Sequence, residues 1–188
     1  MHEIVFVTGN PGKVEEVRRF LSIPIRHESL DLEEIQSIDP VEVVRAKAEA
    51  AFLILKVPVL VEDVSVTFTA LGRLPGTFIK YFEQELGQEG LCRLLDGKDR
   101  ACVATAWYGL HNGKTVEMFE GSMPGVVAET PRGTRSFGWA SIIIPEGKTK
   151  TYAEMSDEEQ AEVAMRKKAL KKLHDSLSGE NWGAPTWI

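Results

Sequence analysis

Two stretches of this chain combine residue types suited to phosphate and proton chemistry. The first is Thr8-Gly9-Asn10-Pro11-Gly12-Lys13, which follows the apolar run Ile4-Val5-Phe6-Val7 and leads into a helix-like pattern. Strand, tight turn and helix aim backbone N–H groups and a lysine at a phosphate. Thr8 and Asn10 add side-chain donors, and Lys13 adds a full positive charge. An ordinary βα turn is the alternative, because neither the P-loop spacing G-x-x-x-x-G-K-[ST] nor the dinucleotide fingerprint G-x-G-x-x-G is present. The second stretch is Glu62-Asp63, at the expected end of the apolar strand Pro58-Val59-Leu60-Val61. Carboxylates at the end of a buried strand are costly unless they bind a cation or act on a proton. Two oxygen ligands beside a phosphate-binding turn suit Mg²⁺, which takes a few carboxylates plus substrate phosphates and waters. The plain alternative is a strand running out into solvent.

The elements that must position these residues alternate between strand and helix patterns. Val14, Val17, Phe20 and Leu21 fall at helical spacing, with Glu15, Glu16, Arg18 and Arg19 on the other face. Ile25 to Glu28 reads as a second strand, and the acidic run from Asp31 to Ile38 as a solvated loop. Asp39-Pro40-Val41-Glu42 is a helix start with a cap, a first-turn proline and a capping box, opening a helix to about Leu55. Beyond the acidic pair, Val64 to Leu71 reads as extended or hairpin-like, Leu74 to Thr77 as a turn, and 78–86 and 89–95 as two helices. Arg100 to Gly109 is a strand, His111-Asn112-Gly113-Lys114 a hairpin turn, Thr115 to Glu120 its partner, and Gly125 to Ala128 one more strand. Ser156-Asp157-Glu158-Glu159 caps a last long helix whose lysines, Lys167 to Lys172, suit its dipole without further function. Strands flanked by helices with one interposed antiparallel hairpin predict an α/β fold with a mixed sheet.

Composition bounds the function. At 188 residues, 43% hydrophobic and 27% charged, the chain reads as a single globular domain, with the tail from about 178 to 188 lacking periodicity. A formal charge of −6 argues against a partner that is a nucleic-acid polymer. It leaves room for a phosphorylated small molecule, since lysines and a divalent cation reverse the field inside a cleft. Two cysteines, Cys92 and Cys102, without metal-ligand spacing point to a reducing cytoplasm. Four scattered histidines make no zinc pattern. No apolar run is long enough for a membrane span.

Phe137-Gly138-Trp139 sets two aromatics around a glycine, an arrangement that stacks on a flat base or packs in a core. Together with Thr8-Gly9-Asn10-x-x-Lys13, Val61-Glu62-Asp63, Leu74-Pro75-Gly76, Pro131-Arg132-Gly133 and Thr151-Tyr152-Ala153-Glu154-Met155, it stands in the order found in inosine triphosphate pyrophosphatases, the Ham1 family. The resemblance runs from about residue 3 to residue 173. It implies an elongated, two-lobed α/β fold with a mixed twisted sheet and a cleft between the lobes, a homodimer, and Mg²⁺ with Mn²⁺ as a substitute. It also implies hydrolysis of inosine and xanthosine triphosphates to the monophosphate and pyrophosphate. By position, Thr8, Asn10 and Lys13 would hold the triphosphate and Lys80 would contact substrate. Glu34, Glu62 and Asp63 would be the metal ligands. Asp63 would orient the attacking water, and Phe137, Gly138 and Trp139 would wall the base.

The departures from the family pattern fall around the base. Family members usually read Phe-Gly-Trp/Tyr-Asp-Pro and Lys-Asn-x-x-Ser-His-Arg, where this chain has Phe137-Gly138-Trp139-Ala140-Ser141 and Gln160 to Arg166. Ala140, Gln160, Ala164 and Met165 stand where a carboxylate, a lysine, a serine and a histidine are usual. Arg166 is kept, and with Gln160 it remains able to contact a 6-oxo group. An active pyrophosphatase with altered or broadened base preference leads the readings. A standard inosine/xanthosine enzyme and a non-catalytic nucleotide-binding or sensing protein of the same fold are the alternatives.

Overall fold

The computed structural model describes residues 3–21, 23–134 and 138–179. Its opening follows from local chemistry. Strand β1 (Ile4–Val7) is buried throughout, and Asn10 caps helix α1 (Pro11–Phe20) by accepting the Gly12 N–H while Pro11 takes the first turn. Arg18 and Arg19 close the helix at the end its dipole makes negative. The return strand β2 (Ile25–Glu28) pairs in parallel with β1, Ile4 opposite Ile25. Asp39 caps α2 (Pro40–Leu55) by accepting the Val41 N–H. The expected capping box does not close, because Glu42 instead accepts the Ser37 hydroxyl at 2.6 Å.

The next strand is longer than the apolar run that announces it. β3 (Val59–Phe68) continues through Glu62 and Asp63, so both acids lie mid-strand rather than at its end. The continuation is secured by an antiparallel partner, β5 (Ala101–His111), paired with β3 along its whole length. Between them come a two-residue strand β4 (Pro75–Gly76), which pairs back onto β3 where a turn is expected, and helix α3 (Ile79–Arg93). Gly87, at φ 66°, divides α3 into the two helical arms read from the sequence. The Asn112-Gly113 turn leads into β6 (Val116–Val127), which absorbs both of the strands expected there. A last short strand, β7 (Ile143–Pro145), pairs with the end of β6. The expected final helix is divided into α4 (Asp157–Val163), opened by the Ser156–Glu159 capping box, and α5 (Met165–Gly179). Ala164, at ψ 113°, breaks it without any proline or glycine, so contacts elsewhere in the fold set the break.

Among the described residues, seven strands form one mixed sheet in the order β2-β1-β3-β5-β6-β7, with β4 added on β3. β1 is parallel to β2 and β3, and the other pairs are antiparallel. With 10 to 12 residues each, β3, β5 and β6 span roughly 35–40 Å. One half of this long sheet carries β1 and β2, the other β4 and β7. Alternation assigns the two faces. Val5, Val7, Val59 and Val61 pack with α2 through Val44, Ala48 and Ala51. Ile4, Phe6, Leu60, Val66 and Phe68 pack with α1, α3 and α5. α5 lies so close to β6 that a Cβ built on Gly121 would sit 2.0 Å from the Met165 carbonyl oxygen. Among the described residues no helix is long and apolar enough to cross a membrane.

Candidate active site

Val5 and Phe6 of β1 stand opposite Val59 and Leu60 of β3, so Glu62 and Asp63 are the first residues of β3 beyond the end of β1. The Thr8–Lys13 turn leaves β1 at the same level. In open α/β sheets, the crevice at the carboxyl ends of parallel strands is where ligands bind. Successive side chains of a strand point to opposite faces. Glu62 therefore faces α1 and α5 from beside Tyr108, and Asp63 faces α2 from beside Trp107.

Glu62 is 5% exposed and held by two cations. Lys13 Nζ lies 2.6 Å from its Oε2, and Arg166 Nε donates to its Oε1 at 2.6 Å. Burial by itself would raise its pKa, but the charges and hydrogen bonds of Arg166 and Lys13 outweigh burial and hold the carboxyl below its usual range. Glu16, three residues after Lys13 on α1, stands 4.0 Å from Arg166 Nε. Burial pushes the Glu16 carboxyl up, and Arg166 opposes it. Glu62 thus ties the opening turn to the start of α5. The same contact accounts for the break at Ala164, since α5 must restart where Arg166 reaches the sheet.

Asp63 has the opposite electrostatics. Burial pushes its carboxyl up to about 6, against the nearby Lys47 charge and with a smaller push from Glu34 and Glu62. It opens into a cavity of about 100 Å³ lined also by Glu34, Gln36, Ser37, Thr77 and Lys80. Glu34, expected as solvated loop on composition, is held there by Lys47 of α2 at 2.5 Å. That hydrogen bond holds the Glu34 carboxyl below its usual range, and the Lys80 and Lys13 charges add to the effect. Thr77 donates to the Ser37 carbonyl at 2.5 Å and ties the acidic loop to the start of α3, which places Lys80.

A second cavity, of about 600 Å³, lies between α1 and the α4–α5 junction. Gly12, Glu16, Tyr152, Gln160, Ala164 and Arg166 line it. Trp139 is 6% exposed and packs against Tyr152 with ring centroids 5.7 Å apart. Its backbone is held by Gln88 of α3, which donates to the Gly138 carbonyl at 2.8 Å and accepts the Ser141 hydroxyl at 2.6 Å.

The expected site residues thus divide between two places. Glu34, Asp63 and Lys80 share the small cavity, while Gln160 and Arg166 share the large one, with Gly138 and Trp139 packed behind Tyr152. Thr8 and Asn10 accept turn N–H groups, from Asn10 and Gly12, so the Thr8 hydroxyl proton and the Asn10 amide protons remain able to donate outward. Glu62 is not brought together with Glu34 and Asp63 as a third metal ligand. It lies on the other face, with one oxygen on each of two cations. Phe137 and the tryptophans of the carboxyl-terminal tail lie outside the described residues. Two participants went unread in the sequence, Lys47 and Glu16. A signal existed for Lys47, which stands four residues after Val43 and three after Val44 and so interrupts the buried stripe of α2.

Whether this site suits a divalent cation is decided by its donors. Among the described residues no three or more His, Cys, Asp or Glu side chains form a ready-made metal cage. Glu34 and Asp63 nevertheless face one small cavity, and a divalent cation there would offset the burial of Asp63, which the Lys47 charge opposes only in part. Two carboxylates, with substrate oxygens and water completing the shell, fit Mg²⁺. Cys92 and Cys102 are buried free thiols and take no part, with the Cys102 pKa pushed up to about 12 by burial.

Fold and site together define an α/β protein with an ionisable cleft where a short parallel strand ends against a long mixed sheet. The Ham1 family model matches residues 4–176, and the chain belongs to the Ham1 family. Over 177 residues it is 44% identical to "Inosine triphosphate pyrophosphatase 2" of Trypanosoma cruzi, covering 92% of this chain and 90% of that protein. It is 43% identical to "Inosine triphosphate pyrophosphatase" of Yarrowia lipolytica, covering 90% and 93%. Among solved structures, a HAM1 protein from Coxiella burnetii superposes with a TM-score of 0.86 at 25% identity, over 96% of this chain and all of that one.

Proposed function

We propose that this protein is a Mg²⁺-dependent nucleoside triphosphate pyrophosphatase that removes unwanted nucleotides from the cytoplasmic pool. The observation that carries the reading is Asp63, a buried carboxylate with its pKa raised to about 6, facing Glu34 across a small cavity beside the Lys13 turn. A carboxylate facing that cavity is placed within reach of a water molecule there and can take its proton. The names of the curated relatives support the same reaction.

In this mechanism the triphosphate lies along the end of β1, met by the turn amides, the Thr8 and Asn10 donors, and the Lys13, Lys47 and Lys80 charges. Glu34 and Asp63 would hold Mg²⁺, which would supply neutralisation of phosphate charge and polarisation of the reacting centre. Asp63 takes the proton from a water molecule as its oxygen bonds to the α-phosphorus. The bond from that phosphorus to the bridging oxygen breaks, and pyrophosphate leaves with the electron pair, giving the monophosphate. Glu62 keeps Lys13 and Arg166 in position for the two ends of the substrate. A homodimer belongs to the same reading. Val103 and Val126, exposed on the α2 face of the sheet at the end that α2 leaves uncovered, give it apolar surface to bury. The test is pyrophosphate release from a panel of ribo- and deoxynucleoside triphosphates with Mg²⁺. Release from none of them overturns the assignment.

A further inference from the structure

We infer that His27 is a positioning residue for the phosphate end of the site, locking the Thr8–Gly9 peptide so that the Gly9 N–H is held out toward a phosphate oxygen. The inference rests on the pyrophosphatase reading, which lays the triphosphate along the end of β1.

The lock sits where two strands part. β2 ends at Glu28, whose carbonyl accepts the Thr8 N–H at 3.1 Å. The Thr8 carbonyl then meets a side chain in place of a ladder N–H. His27 Nε2 stands 2.7 Å from that oxygen, and because a carbonyl only accepts, Nε2 carries the proton. His27 is opposite Phe6 in the parallel register, two residues short of Thr8, and its ring spans the gap.

A trans peptide is planar, with its C=O and N–H pointing opposite ways. Holding the Thr8 carbonyl toward β2 therefore turns the Gly9 N–H away from β2. That is the side of β1 on which β3 lies, with Glu62 and Asp63 just beyond the end of β1. The N–H groups of Asn10, Gly12 and Lys13 are engaged within the turn, by the Thr8 hydroxyl, the Asn10 side chain and the Asn10 carbonyl. Among the described residues nothing accepts the Gly9 N–H. Backbone N–H groups so presented suit an anion.

Nothing else in the turn fixes this plane. A flip rotates ψ of Thr8 and φ of Gly9, and glycine takes the new φ at little cost. A Cβ at Gly9 would meet only Ser29 Oγ, at 4.0 Å, so packing does not hold the peptide either. The imidazole does.

The test compares two replacements of about equal length. His27→Gln keeps a side-chain N–H at the reach of Nε2, and His27→Met has no donor. His27 is half-buried, so the fold tolerates both, and matched urea midpoints check this. Binding of inorganic triphosphate with Mg²⁺ is measured by calorimetry, and kcat and KM for ITP by pyrophosphate release. His27→Met is expected to weaken triphosphate binding and raise KM by about tenfold, as for the loss of one hydrogen bond to a charged group, with kcat changing by less than about twofold. His27→Gln is expected to stay within about threefold of wild type in both. Equal affinities of wild type and His27→Met, or no binding to either, overturn the inference. A loss confined to kcat overturns it, as does a His27→Gln variant as weak as His27→Met, which would assign the effect to packing of the ring. If no nucleoside triphosphate releases pyrophosphate, the pyrophosphatase reading falls, and the binding arm still decides the role of His27.

Discussion

Glu62→Gln is the most informative single change, because it removes one charge from beneath two others. The carboxylate side chain is 1% exposed, with Lys13 and Arg166 each at 2.6 Å. Removing one member of a buried ion pair costs about 3–5 kcal/mol, mostly because its partner is left charged and desolvated. The two partners bear this unequally. Lys13, at 25% side-chain exposure, can swing toward water, whereas Arg166, at 18%, keeps only Glu16 at 4.0 Å. The amide oxygen still accepts one hydrogen bond, so the expected loss is about 3 kcal/mol, at the lower end of that range. Urea denaturation should show a lower midpoint with an unchanged slope. Because Glu62 has a lowered folded pKa, its contribution is present above the unfolded value of 4.5 and disappears as pH falls through the folded value. The gap between wild type and variant should therefore close in acid. Nucleotide KM should rise as well, since both the phosphate lysine and the base-side arginine lose their anchor. A variant within about 1 kcal/mol of wild type, with the defect confined to Mg²⁺ affinity, would show that Glu62 is a metal ligand and refute the ion-pair reasoning.

Asp63→Asn should lower kcat by about 10²–10⁴-fold, measured as pyrophosphate release, while leaving nucleotide binding detectable. For the metal-free protein, the raised Asp63 pKa makes its contribution to stability fall as pH rises from the unfolded value of 3.8 through about 6. Its melting temperature relative to Asp63→Asn should fall over that window, and Mg²⁺ should restore more of it at pH 7 than at pH 5. Gln88→Ala removes the bond to the Gly138 carbonyl and the acceptor for Ser141. It is expected to cost about 1–3 kcal/mol in denaturant melts and to raise KM more than it lowers kcat.

What the sequence disclosed follows the range of the forces involved. Asp39 and Ser156 announced two helix starts because a cap acts within a few residues, while Asn10, read as a phosphate donor, also caps α1. β3 read as two pieces, an apolar strand and an extended stretch from Val64, because Glu62-Asp63 interrupts its apolar run and only pairing with β5, about 40 residues on, joins them. That error also concealed the division of labour in the acidic pair. Adjacent residues at the end of a strand read as two ligands of one ion, whereas adjacent residues within a strand must face opposite ways. The break at Ala164 has no local signature, being set by Arg166 meeting Glu62. Lys47 was legible in principle as a charge in a buried stripe, and Glu34 was placed by resemblance where composition gave only a loop.

Gly121 has a consequence beyond packing. Its missing side chain lets the backbone of α5 rest against β6, with the Met165 carbonyl and the Ala169 nitrogen inside the space a Cβ would fill. Arg166 follows directly after Met165, so the depth at which its guanidinium enters the cleft is gauged by a residue two strands away from Glu62. Any substitution at Gly121 would lift the helix like a shim under a hinge and withdraw the arginine from the carboxylate. Both cavities would keep every one of their lining side chains and still lose their alignment. The vulnerable point of this cleft is therefore an empty space behind it, invisible to any survey of the residues that line the site.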